Sequence, residues 1–306
     1  MKDPTINDII SMPLEELFGH ANKVRTEWCG GSVELCGIIN AKSGRCAENC
    51  SFCAQSARYN ASVNEYSLKT SDEIVRASRK ALKNGASHFG IVTSGNALTE
   101  EELGTVAEAI RRIVVEVGIV PCASLGALSI EAFSFLKSAG LKRYHHNIET
   151  SRRYYPSIVT THGFSQRVET IRAAQKAGLE VCSGGILGLG ETWEDRYDMA
   201  VFLKELEVDS VPVNFLIPMN GTPLGRVKPM KRADAIRAIA LFRIILKQKP
   251  IKVIAGRESI FKDEQEMIFK AGANGMMVGG YLTVSGRQVE LDRQLVSRIK
   301  GSWSRG

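Results

Sequence analysis

A (β/α)8 barrel of the TIM type with a helical N-terminal extension is the fold that this sequence predicts. Three observations predict it. Eight short apolar runs alternate with amphipathic stretches at helical spacing, no low-complexity linker interrupts the alternation, and polar side chains recur at the ends of the apolar runs. Residues 1–32 read as the extension, because PLEELFGHANKVR carries apolar residues at helical spacing and Gly30–Gly31 stops it. Residues 33–306 read as the barrel.

The expected strands are VELCGIIN (33–40), ASHFGIVTS (86–94), IVPCAS (119–124), KRYHHNIE (142–149), LEVCSGG (179–185), VDSVPVNFL (208–216), IKVIAGR (251–257) and NGMMVGG (274–280). Each is short and apolar, too short for a buried helix. Between and after them fall expected helices at 72–83, 100–116, 129–138, 165–177, 193–206, 231–247 and 263–271, with a last one near 288–299. Strands separated by such helices run parallel, which is what closes a barrel. The longest irregular stretch, about 41–70, follows the first strand, where barrel enzymes carry chemistry.

Composition narrows the function classes. The 306 residues are 44% hydrophobic and 24% charged, as in globular proteins. No apolar run approaches a membrane span, and MKDPTINDIISMPLEEL has no apolar signal core, so a cytoplasmic protein is expected. The net charge of +7 comes from scattered Lys and Arg, not from a basic block interleaved with aromatics. That argues against nucleic acid and suits an acidic protein partner. Seven cysteines in a reducing compartment suggest metal or redox chemistry more than disulfides.

Three of those cysteines, Cys46, Cys50 and Cys53, form a CxxxCxxC run inside GRCAENCSFCAQS. A structural zinc site takes four protein ligands and closes itself. Three thiolates on an iron–sulfur cluster leave one iron open, so the run points to chemistry. The remaining candidates lie in or after strand ends: Cys36, Cys122, His145, Asn147, Glu149, Cys182, Asn214 and Arg257. His145, Asn147 and Glu149 alternate, which puts them on one face of the fourth strand. A packed barrel interior wants branched apolar residues instead.

The CxxxCxxC spacing, with Phe52 before its last cysteine, resembles that of the radical S-adenosylmethionine (SAM) enzymes. More specifically, YHHNIETSRRYYPSIVTTHGFSQRVETI, VCSGGILGLGET, VPVNFL with GTPL, and VIAGRE resemble the biotin synthase family over about residues 33–285. The resemblance implies a 4Fe–4S cluster on Cys46, Cys50 and Cys53 that binds SAM and cleaves it reductively. The resulting radical abstracts hydrogen from dethiobiotin, and sulfur is inserted to give biotin. It implies that Phe52 lies against the adenine, that Asn147 touches both SAM and substrate, and that Glu149 meets the ribose. Arg167 lies near the SAM carboxylate, Asn214 at the ureido ring and Thr283 near the substrate carboxylate. His145 stands where relatives carry Asn, and Val284 where many carry a second Thr.

The family's auxiliary two-iron cluster uses three cysteines and an arginine. Cys122, Cys182 and Arg257 match, but Gly90 stands at the third cysteine position, within SHFGIV. Cys36 restores the count from the neighbouring strand. Two arrangements follow: a 2Fe–2S cluster with a relocated ligand, or, favoured, a 4Fe–5S-type cluster with an extra sulfide, as in a variant subgroup of the family. Cys29 is a fourth ligand, a sulfur-relay thiol or a plain cysteine. His88 approaches the auxiliary site, and His20 and His162 read as surface residues. The family resemblance further implies a homodimer and an acidic electron donor such as a flavodoxin or ferredoxin, and leaves the sulfur donor unknown. The alternatives are another radical SAM barrel or an iron–sulfur electron carrier.

Overall fold

In the computed structural model, which describes residues 5–284 and 286–304, the apolar runs pair as parallel strands and the helices cover them. The strands are β1 (Glu34–Lys42), β2 (His88–Thr93), β3 (Val120–Ser124), β4 (Arg143–His145), β5 (Glu180–Cys182), β6 (Gly185–Leu187), β7 (Val211–Phe215), β8 (Ile251–Val253) and β9 (Gly275–Met277). They form one sheet in the order β5-β4-β3-β2-β1-β9-β8-β7-β6.

The two ends of that ladder, β5 and β6, are halves of the expected fifth strand, which breaks at Ser183–Gly184. The break is bridged from both sides. Ile148 N and Glu149 N donate to Gly184 O (3.0 and 3.2 Å), and Ser183 N donates to Ser210 O (3.0 Å). The sheet thus curls into the expected TIM-type barrel, with nine strands where eight were expected. Close approach of backbones explains the break. A Cβ on Gly184 would lie 1.9 Å from Pro212 O, and one on Gly185 2.1 Å from Glu149 O.

The helices are α1 (Ile6–Ser11), α2 (Leu14–Cys29), α3 (Ser71–Lys83), α4 (Glu100–Arg112), α5 (Ile130–Ser138), α6 (Phe164–Lys176), α7 (Trp193–Glu205), α8 (Arg232–Leu246), α9 (Arg257–Phe261), α10 (Met267–Lys270) and α11 (Val289–Trp303). Capping boxes start α3 (Thr70 with Glu73), α4 (Thr99 with Glu102) and α7 (Thr192 with Asp195). The end of α4 widens into a π turn over Ile113–Val117, stopped by Gly118 at φ 77. The buried residues of α8 include Ile239 and Phe242 in the main core, and Ala240, Leu241 and Ile244 against Ile9, Leu17 and Ala21 of α1 and α2. A helix apolar on all sides is one covered on two faces.

Two expectations change after β8. The strand stops at Val253 rather than 257, because Gly256 at φ 82 turns the chain into α9. The expected helix 263–271 is replaced by α9 and α10, separated by Lys262 at φ 46. No helix among the described residues is long and apolar enough to cross a membrane.

Candidate active site

The barrel encloses a cavity of about 400 Å3. Among the sequence-expected residues, Cys36, Phe52, Cys53, Cys122, His145, Asn147, Glu149, Cys182, Asn214 and Thr283 border it, as does His88. Thr283 is exposed at its rim. β4 is shorter than expected, so Asn147 and Glu149 lie beyond its end. Their alternation survives because His146 N and Ile148 N still donate to Cys182 O and Gly184 O.

Backbone bonds shape the loop after β1. Cys46 N donates to Gln55 O (3.0 Å), Ala57 N to Cys46 O (2.7 Å) and Cys53 N to Cys50 O (3.0 Å). Asn49 clasps the far side: its Oδ1 accepts from Thr160 N and Thr161 N (3.0 and 3.2 Å) and its Nδ2 donates to Thr160 Oγ1 (2.6 Å). Cys50 is buried, and burial, opposed by Arg167, pushes its thiol up to about 12.

Strand register brings the deeper thiols together. Cys36 pairs with His88, Gly90 with Cys122, Cys122 with Arg143, and His145 with Cys182. Two cations that sequence reasoning missed stand beside them. Lys252 Nζ lies 2.5 Å from Glu34 Oε1 and 3.8 Å from Cys36 Sγ. Arg143 donates to Glu34 Oε1 and Glu180 Oε2, both at 2.8 Å. Their signal was present: a Lys or Arg inside an apolar strand needs a buried partner. Burial pushes the Cys36 thiol up to about 11 and raises Cys122 further. Cys182 goes the other way, to about 6: burial raises it, but the charge of Lys252 and the neighbouring His145 outweigh burial.

On the mouth side, Glu149 takes a left-handed φ of 67 and is buried, which raises its carboxyl. Its Oε2 accepts from Asn147 Nδ2 (3.3 Å), whose Oδ1 accepts from Gly184 N (3.1 Å). Asn214 donates to Gly185 O (3.1 Å) and accepts from Ala255 N (3.2 Å). Both asparagines therefore hold the barrel seam while facing the cavity. The glycine-rich turn closes on Glu191, whose carboxylate accepts from Gly188 N, Leu189 N and Arg196 Nε. Arg167 is half-buried and donates from Nε to Tyr155 Oη (3.1 Å).

Three expectations are corrected. Arg257 does not reach the thiols. It begins α9, is fully buried, and donates to Asp292 Oδ2 (2.6 Å), Gln265 Oε1 (2.8 Å) and Met277 O (3.2 Å), tying α9 to α11. Cys29 ends α2 away from the cavity, and its sulfur accepts from Arg243 Nη1 (3.2 Å). His162 is no surface residue: its side chain is 5% exposed and its Nε2 lies 3.7 Å from Cys50 Sγ. Burial, then the charge of Arg167, lowers its pKa and keeps the ring neutral.

All seven cysteines are free thiols. Among the described residues no group of three or more His, Cys, Asp or Glu is placed to hold one metal ion. An iron–sulfur cluster makes a different demand, since each thiolate takes its own iron. The donor set meets that demand twice, with three loop thiols and three barrel thiols of soft chemistry. Gly90 borders the cavity beside the second set, and a Cβ there would already press on Ile38 Cγ2 at 3.1 Å.

Residues 41–203 match the model of the radical SAM superfamily, and residues 212–300 that of the Biotin and Thiamin Synthesis associated domain. The chain is 49% identical over 287 residues to a biotin synthase of Geotalea daltonii, covering 94% of this chain and 87% of that one. It is 46% identical over 296 residues to a biotin synthase of Thermotoga petrophila, covering 96% and 98%. Among solved structures, methylornithine synthase superposes with a TM-score of 0.77 at 24% identity, over 89% of this chain and 82% of that one. That likeness concerns the fold alone.

Proposed function

We propose, from the premise that this chain belongs to the biotin synthase family of radical SAM enzymes, that it inserts sulfur into dethiobiotin to form biotin. One observation supports the reading beyond the relatives: a single cavity is bordered both by Phe52 and Cys53 of the CxxxCxxC loop and by Cys36, Cys122 and Cys182. In this reading Cys46, Cys50 and Cys53 hold a 4Fe–4S cluster, and Phe52, Asn147, Glu149 and Arg167 hold SAM. When bound, that pair supplies the one-electron chemistry that breaks an unactivated C–H bond, beyond the reach of any side-chain base.

The chain's own residues do the rest. Asn147 and Asn214 are pinned by backbone partners, so each presents a fixed amide to the ureido ring. His145 offers one further hydrogen bond and Thr283, at the rim, meets the substrate carboxylate. Apolar walls from Ile186, Leu216 and Ile254 take the hydrocarbon chain and keep water out.

Cys36, Cys122 and Cys182 hold the auxiliary cluster, with Lys252 and Arg143 rather than Arg257 supplying positive charge. A four-iron cluster carrying an extra sulfide is proposed, with that sulfide as the sulfur source. The absent thiolate at Gly90 favours this over a two-iron cluster. A small acidic carrier, flavodoxin or ferredoxin, suits the net charge of +7 as electron donor.

The test is anaerobic incubation of the reconstituted chain with SAM, reductant and dethiobiotin. Biotin together with deoxyadenosine is expected. Deoxyadenosine without biotin assigns a different radical SAM reaction, and neither product assigns an electron carrier. Iron counted on the Cys46→Ala/Cys50→Ala/Cys53→Ala variant then separates about four auxiliary irons from about two.

A further inference from the structure

Cys50 lies at the end of a line of polar groups, of which only Arg167 has a role in the proposed chemistry; Tyr155 and His162 have none. Arg167 Nε stands 3.1 Å from Tyr155 Oη, Tyr155 Oη stands 2.8 Å from His162 Nδ1, and His162 Nε2 stands 3.7 Å from Cys50 Sγ. The direction of this line follows from its first member. A guanidinium only donates, so Tyr155 Oη accepts from Arg167 and its single hydrogen goes to His162 Nδ1. A neutral imidazole that accepts at Nδ1 carries its proton on Nε2. That N–H faces the sulfur. Glu48 Oε2, buried without a hydrogen-bond partner, lies 3.9 Å from the same Nε2, beyond hydrogen-bond length for oxygen. The middle of the line is buried and packed: Tyr155 is 1% exposed and lies edge-on against Phe164 at 5.5 Å.

We propose that Arg167, Tyr155 and His162 form a one-way hydrogen-bond chain that donates to the Cys50 sulfur and raises the reduction potential of the cluster held there. The proposal rests on the assignment of Cys46, Cys50 and Cys53 as the iron–sulfur loop. A donor on a thiolate sulfur stabilises the charge added on reduction, so it shifts the potential upward. The guanidinium at the head polarises both bonds in the same sense. Tyr155 and His162 are positioning residues, since they act through Cys50.

The experiment is an EPR-monitored redox titration of the reconstituted full chain, following the reduced-cluster signal that changes when SAM is added. His162→Phe is expected to keep the iron and sulfide content and to shift the midpoint to more negative potential. His162→Gln, whose amide can again donate, should move it back toward the parent value. Tyr155→Phe leaves the imidazole in place without its orienting hydrogen and should shift the midpoint in the same direction by less. An unchanged midpoint in a fully loaded His162→Phe protein overturns the proposal. If that variant fails to load iron, Tyr155→Phe decides by the same readout. Loss of any SAM-responsive signal in the unsubstituted chain is a separate failure, that of the iron–sulfur loop assignment itself.

Discussion

Cys182 is the deep thiol most ready to act as a ligand. Burial alone raises a thiol, yet Lys252 and His145 bring Cys182 down to about 6, while Cys36 rests near 11. The thiolate is the form that binds metal, so this position is poised for it. Cys182→Ala is expected to leave deoxyadenosine formation in place and to cut biotin by more than about a hundredfold. Chromatographic quantification of both products from one incubation checks it, and normal biotin would remove Cys182 from the auxiliary site. The cysteines were legible in the sequence because residue type and local spacing carry their meaning. Lys252 signalled in the sequence only that it needed some buried partner, and His162 signalled nothing, because their roles come from distant residues: Glu34 lies 218 residues from Lys252, and Cys50 lies 112 residues from His162. Arg257 misled for the converse reason. Its motif sits at a strand end in the sequence, but Gly256 swings the backbone away before the side chain begins.

At the scale of single elements, α7 shows how a helix start fastens the mouth of the barrel. Asp195 closes the capping box with Thr192 and also accepts from Ser151 Oγ (2.6 Å) and Arg153 Nη2 (2.8 Å), which belong to the segment after β4. Burial works against the charged carboxylate, but the hydrogen bonds from Ser151, Thr192 and Arg153 win and hold it at about 2, against an ordinary 3.8. The folded value is depressed, so the stabilisation is present above about pH 4 and is lost as pH falls toward 2. Asp195→Asn should therefore cost about 2 kcal/mol at neutral pH, with the gap to the parent chain closing between about pH 4 and 2. Urea midpoints of both proteins across that range read it out, and a constant gap would contradict it. Helix starts of this kind follow from local chemistry, which is why the body of α7 matched expectation. The segment expected as one helix at 263–271 did not, because Lys262 takes a left-handed turn that no apolar spacing announces.

For the whole molecule, the eight-unit alternation was legible, but the place where the barrel closes was not. Closure happens where β5 stops and β6 starts, and its cause is a distance between backbones, invisible in a run such as LEVCSGG. Two identical substitutions separate this from generic glycine effects. Gly104 sits on α4 with nothing within 4 Å of an added Cβ, so Gly104→Ala should stabilise by about 0.5–1 kcal/mol through helix propensity and a less flexible unfolded chain. At Gly184 the same methyl would meet Pro212 O at 1.9 Å and Pro212 C at 2.9 Å, backbone atoms of β7 that cannot rotate aside. β7 would have to move, and with it the ladder through Gly185, Ile186 and Leu187 on one side and Val211, Pro212 and Val213 on the other. Gly184→Ala should cost more than about 4 kcal/mol, enough to deplete folded protein at expression temperature. Thermal melts of the two variants should thus move in opposite directions. Equal melts would place the closure elsewhere, and with it the contact that brings the His145–Glu149 segment up to Cys182.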